Sequence, residues 1–155
     1  MPEPKELLES SRVIASELVE LRRQLHQIPE FALDLPRTQA LLLEKLAGLG
    51  EITLGKSLTS IALLIRGGNP GPTVLLRADM DALHVTEETD LDFASTNGYM
   101  HACGHDLHMS SAVGAAKLLH EIKYTLNGDV LIWFQPGEEG HGGADVMIEE
   151  QMLEV

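Results

Sequence analysis

The residues best suited to chemistry fall in three short blocks. The densest is Met100-His101-Ala102-Cys103-Gly104-His105-Asp106-Leu107-His108, which holds three histidines and the only cysteine of the chain. Thiolate and imidazole are preferred ligands of zinc and other late first-row metals. Cys103 and His105 flank one glycine, which allows the turn needed for both to reach one centre. Spacing alone does not say whether His105 or His108 binds, since both would share a helical face. With no second cysteine, a closed zinc-finger site is excluded. The second block, Leu76-Arg77-Ala78-Asp79-Met80-Asp81-Ala82-Leu83, sets two carboxylates just past an apolar strand, the edge where open α/β sheets bind ligands. If the strand conformation persists, Asp79 and Asp81 point the same way, and like charges so placed favour a cation between them.

The third block is Phe134-Gln135-Pro136-Gly137-Glu138-Glu139-Gly140-His141-Gly142-Gly143. A glycine-rich turn between strand and helix can cradle phosphate, which would make this a nucleotide-binding domain. The turn lacks the Lys-Ser/Thr pair of a phosphate loop, however, and its adjacent glutamates repel phosphate. They suit a cation better: neighbouring side chains diverge, so one glutamate can hold a metal while the other serves as a base toward water.

These blocks need a frame. Leu7, Leu8, Val13, Ile14, Leu18, Leu21 and Leu25 recur at helical spacing, which predicts a helix over 6–27 that Pro29 stops. A second helix starts near Pro36 and runs to Gly48 and Gly50. Segments 59–66 and 73–77 are strand-like, and the turn chemistry of 67–72 between them predicts a β-hairpin or two neighbouring strands. A third helix is expected over 106–122, with small residues (Ala112, Gly114, Ala115, Ala116) suited to close packing. Segment 129–134 is apolar at nearly every position, as in a strand buried on both faces, and 142–153 reads as a fourth helix. The order gives an α/β class with a mixed sheet.

Composition narrows the function classes. The chain has 155 residues, enough for one domain, and 11 basic against 24 acidic side chains give a net charge of −13. That count and the lack of a Lys/Arg run argue against a nucleic-acid partner. No apolar run is long enough to span a membrane. The first nine residues are charged and lack the apolar core of a secretory signal. A single cysteine makes a reducing, cytoplasmic setting the default.

Together the blocks resemble the dinuclear metallo-amidohydrolases that include hippurate hydrolases, N-acyl-amino-acid amidohydrolases and auxin-conjugate hydrolases. The resemblance runs from Leu21-Arg22-Arg23-Gln24-Leu25-His26 and Pro29-Glu30 through the three blocks. It implies a mixed-sheet, zinc-exopeptidase-like catalytic domain flanked by helices. It implies Cys103, His105 and Glu139 as metal ligands for two divalent ions (Zn, Mn, Co or Ni), Glu138 as general base, and Asp81, helped by Asp79, orienting the site. His101 and His108 would support the ligands, while His26, His84, His120 and His141 carry no motif reason to act. The implied activity is hydrolysis of N-acyl amino acids by metal-activated water. His84, Leu35-Pro36, Gly137 and His141 depart from the family pattern without touching the implied ligands.

Family members are much longer. The resemblance therefore makes residues 1–155 the N-terminal part of the catalytic domain, without the lid or dimerisation domain and without two further histidine ligands. Strand 129–134 would then have unpaired edges. A homo-oligomer or a complementing C-terminal chain could complete the site. The alternative is a non-catalytic remnant that only binds metal or a partner.

Overall fold

A computed structural model of the protein describes residues 2–154; Met1 and Val155, the ends of the sequence read above, lie outside the described residues. Helix α1 (Pro4–His26) starts on a proline, whose missing N–H costs nothing in a first turn, and the Glu6 carboxylate accepts the Glu3 N–H at 2.8 Å. Helix α2 (Pro36–Leu46) also starts on proline. Strands β1 (Glu51–Leu54), β2 (Ile61–Ile65) and β3 (Val74–Asp79) follow, then α3 (His105–Ile122), a 3-10 turn at Lys123–Thr125, β4 (Val130–Gln135) and α4 (Gly143–Glu149).

The sheet is mixed and four-stranded, in the order β1-β2-β4-β3. Neither the β-hairpin nor the pair of neighbouring strands expected of segments 59–66 and 73–77 forms. Strand β4 inserts between them, antiparallel to β2 (Ile61 opposite Phe134) and parallel to β3 (Asp79 opposite Gln135). All six residues of β4 are buried, so it needs a partner on each edge and a packed layer on each face. Those edges are thus paired, contrary to the expectation from length, and the open edges belong to β1 and β3. Strand β1 was not anticipated: its four residues are all exposed and carry no burial pattern to read. The last helix ends at Glu149, short of residue 153, and Gln151 beyond it has a positive φ of 63°.

Alternation along β2 and β4 divides the core into two layers. Ile61, Leu63, Ile65, Ile132 and Phe134 pack with Leu21, Leu25, Leu42, Leu46, Met109 and Val113 of α1, α2 and α3. Ala62, Leu64, Leu131 and Trp133 face the other way, onto Leu58, Met147 and Met152. The expected small-residue face of α3 is used: a Cβ on Gly114 would lie 2.6 Å from Leu18 Cδ1, so glycine sets the approach of α1 to α3. Strand β3 is different. Val74, Leu75 and Leu76 are exposed, and only its last two residues, Ala78 and Asp79, are buried. The strand thus delivers Asp79 to the interior at its C-terminal end, beside the loops that follow β4 and precede α3.

Candidate metal centre

Three chain segments converge on the imidazole of His105, the first residue of α3. Gly104 precedes it with φ of 85°, a left-handed conformation that lets the chain turn sharply between Cys103 and His105. The ring is buried, and its Nδ1–H donates to the Asp81 backbone carbonyl at 2.7 Å. A carbonyl only accepts, so this bond fixes the tautomer and leaves Nε2 as the outward nitrogen. Nε2 faces Asp79 Oδ1 at 3.6 Å, Glu138 Oε2 at 3.7 Å and Glu139 Oε1 at 3.9 Å.

Each acid has its own support. Asp79 takes the His108 Nδ1 at 2.5 Å and the Arg77 guanidinium at 2.8 Å, and Arg77 Nε in turn donates to Gln135 Oε1 at 2.9 Å. Burial works to raise the Asp79 pKa, but His108, His105 and Arg77 outweigh it and hold the carboxyl below its ordinary value. Asp81 is buried, and its two oxygens accept the backbone N–H groups of Glu138 (2.9 Å) and Glu139 (3.1 Å). One carboxylate thereby fixes the direction of both glutamates. Asp79 and Asp81 do face the same group, as the strand reading expected, but they meet opposite nitrogens of the His105 ring.

Cys103 is exposed, and its thiol is pushed above the ordinary thiol range. The chief cause is a hydrogen bond to Glu139, followed by burial and the charges of Glu139, Glu138 and Asp79. Ligation through Cys103 therefore requires that a cation displace the proton.

The donor set fits a divalent metal. Oxygens 3.6–3.9 Å from Nε2 are too far for a hydrogen bond. A tetrahedral zinc with bonds of about 2.1 Å holds its ligand atoms ~3.4 Å apart, close to the spacing found. Among the described residues, two triads have ligand atoms within 4.8 Å of one another: Asp79, His105 and His108, and His105, Glu138 and Glu139. The sequence-derived residues His105, Glu138 and Glu139 are thus brought together. Cys103 lies near enough to bond Glu139 but outside both triads. Asp79 and His108 come closer to the centre than the sequence indicated, and the short Asp79–His108 bond has no signal in a spacing of 29 positions. His101 is buried with neither ring nitrogen hydrogen-bonded, and burial pulls its pKa down to about 4.

Behind His105 lies a second polar cluster that sequence reasoning missed. Asp106 is fully buried; its Oδ2 meets His26 Nδ1 at 2.6 Å and Arg22 Nε at 2.8 Å. His26 Nε2 meets Glu87 Oε1 at 3.0 Å. A lone histidine at a helix end gave no hint of this role.

Comparison with known proteins adds a family. Residues 75–154 match the model of peptidase family M20/M25/M40. The chain is 47% identical over 137 residues to an N-acetyldiaminopimelate deacetylase of Listeria monocytogenes, covering 86% of this chain and 36% of that protein. It is 45% identical over 147 residues to thermostable carboxypeptidase 1 of Saccharolobus solfataricus, covering 92% of this chain and 37% of that protein. A solved Bacillus subtilis structure, described as a dinuclear metal-binding peptidase of the M20 family, superposes with a TM-score of 0.87 at 38% identity, over 92% of this chain and 41% of that one. The chain thus spans little more than a third of the length of these curated relatives.

Proposed function

The chain belongs to peptidase family M20/M25/M40, and from that premise we propose that it forms the first part of a metal-dependent amide hydrolase acting on N-acyl amino acids. The observation that carries this reading is the His105 ring, locked through Nδ1 and turned with Nε2 toward three carboxylates. Cys103, His105 and Glu139 would hold the ions, with Asp79 beside them. When bound, the metal supplies a Lewis acid that polarises the amide carbonyl and makes water more acidic.

The chain's own residues do the rest. Glu138 has an exposed carboxylate 3.7 Å from His105 Nε2 and, among the described residues, no Lys or Arg ion pair, so it is placed to take a proton from water and pass it to the leaving amine. Asp81 fixes the backbone that presents Glu138 and Glu139 to His105 by accepting both their N–H groups. The similarity to a deacetylase favours a small acyl group and a free amino acid product. Ligands and substrate contacts beyond this chain would come from the remaining portion of a longer protein, from a complementing chain or from a second copy. A cytoplasmic setting, in which Cys103 stays reduced, goes with the reading.

Two measurements test it. Elemental analysis of the purified chain should find divalent metal that is lost in Cys103→Ser. In the complemented enzyme, Glu138→Gln should abolish hydrolysis of N-acetyl amino acids while metal stays bound; retained turnover would overturn the base assignment. A second reading is a half-site that binds metal without catalysis, and metal binding with no turnover even after complementation would select it.

A further inference from the structure

We propose that His26 is a positioning residue for the metal centre, acting through Asp106 on the turn that carries Cys103 and His105. The inference rests on the metal-centre reading above. His26 is the last residue of α1 and is buried. Its two nitrogens serve two different elements. Nδ1 reaches Asp106 Oδ2 at 2.6 Å, in the first turn of α3. Nε2 reaches Glu87 Oε1 at 3.0 Å; the other Glu87 oxygen accepts the Ser95 N–H at 2.6 Å, and Thr89 binds Glu87 as well. One imidazole therefore ties the end of α1 to the start of α3 and to the loop over 87–95.

The start of α3 needs such an anchor. Its N-cap is Gly104, which has no side chain to cap the helix and is in a left-handed conformation. Side-chain support in the first turn comes from Asp106, whose Oδ1 accepts the Leu107 N–H at 2.9 Å, a group also bonded to the Gly104 carbonyl, and whose Oδ2 is bonded by His26 and ion-paired with Arg22. Asp106 adjoins His105 in the chain. The His105 ring is fixed from the front by the Asp81 carbonyl, while the next residue in the chain, Asp106, is tied from behind to His26. Loss of the His26 bond frees Asp106 to rotate, and with it the backbone on which the ligands sit. Partners of this kind orient ligands without touching metal, and their removal typically weakens metal affinity ~10–100-fold.

The two arms of His26 can be cut separately. An asparagine amide nitrogen stands in for Nδ1, and a glutamine amide nitrogen for Nε2. His26→Asn keeps the Asp106 arm and loses the Glu87 arm; His26→Gln does the reverse. The probe is Co(II), read by chelator competition and by its visible absorption spectrum, with the unfolding midpoint of the metal-free chain measured alongside. We expect His26→Gln to weaken Co(II) binding ~10–100-fold and change the spectrum, and His26→Asn to keep both near wild type although both variants lose stability. Asp106→Asn and Glu87→Gln read the same arms from the other side, in case His26→Gln does not fold: the first should weaken binding, the second should not. Affinity that does not depend on which arm is cut, in either pair, overturns the inference alone. No Co(II) binding by the wild-type chain overturns the metal-centre reading and this inference with it.

Discussion

Two polar clusters share the first turn of α3 and handle charge in opposite ways. Behind His105, Asp106 and Glu87 are matched by Arg22 and His26, and their contacts lie between groups of this chain. In front, Asp79, Glu138 and Glu139 crowd one imidazole nitrogen, with Arg77 as the only guanidinium bound to them among the described residues. The residue types are nearly the same. The first cluster meets each carboxylate with a nitrogen of this chain and holds three elements together. The second is left with excess negative charge, which is a fault in a structural cluster and a requirement in a cation site.

The contrast can be broken or sharpened by mutation. Asp106→Ala would leave His26 buried without its acceptor and Arg22 without its counter-charge, and should destabilise the metal-free chain by about 3–5 kcal/mol in urea unfolding. Glu139→Gln, which relieves repulsion in the front cluster, should stay within ~0.5 kcal/mol of wild type. Equal losses would show that the two clusters do the same work. Metal should reverse the ranking. Zinc at a hundred times its dissociation constant should stabilise the wild-type chain by about 2.7 kcal/mol, an effect that a chelator removes and Glu139→Gln diminishes.

Acid should separate the same regions more gently. Burial pulls the His101 pKa from its ordinary 6.5 to about 4, so the native chain binds fewer protons than the unfolded one across that interval. Stability should be full above pH 6.5 and decline as pH falls toward 4; His101→Phe should lose this dependence. Burial works to raise the Glu87 pKa, yet Thr89, Ser95 and His26 outweigh it and bring it from 4.5 to about 2. That contribution is present above pH 4.5 and fades below it, and Glu87→Gln should flatten the curve there. Unfolding midpoints measured from pH 8 downward check both.

What the sequence disclosed follows from what is local. The Cys103-Gly104-His105 turn and the double burial of β4 are written in adjacent residues, and both appear in the structure; the divergence expected of Glu138 and Glu139 does not, since both carboxylates turn to His105 Nε2. The insertion of β4 between β2 and β3 is not, because strand order depends on which edges the whole chain can pair. Strand β1 escaped notice because no face of it is buried. His26 escaped because its partner Asp106 lies 80 positions away, and His108, expected in support, gave no sign of its bond to Asp79, 29 positions away. Motif spacing identifies groups that touch a common centre from one segment, and it is silent about groups that hold those segments in place.

Strand order also governs how the chain can be made. Strand β3 ends at Asp79, while the strand that joins it to β2 begins only at Val130. At the usual ~5–20 residues per second, a ribosome needs roughly 3–10 s to cover that interval. During that time the inner edges of β2 and β3 have no partner, and β3 carries Val74, Leu75 and Leu76 along its length. Neighbouring nascent chains can pair with those edges until Phe134 is delivered, so the period of greatest aggregation hazard comes during translation, before the sheet closes.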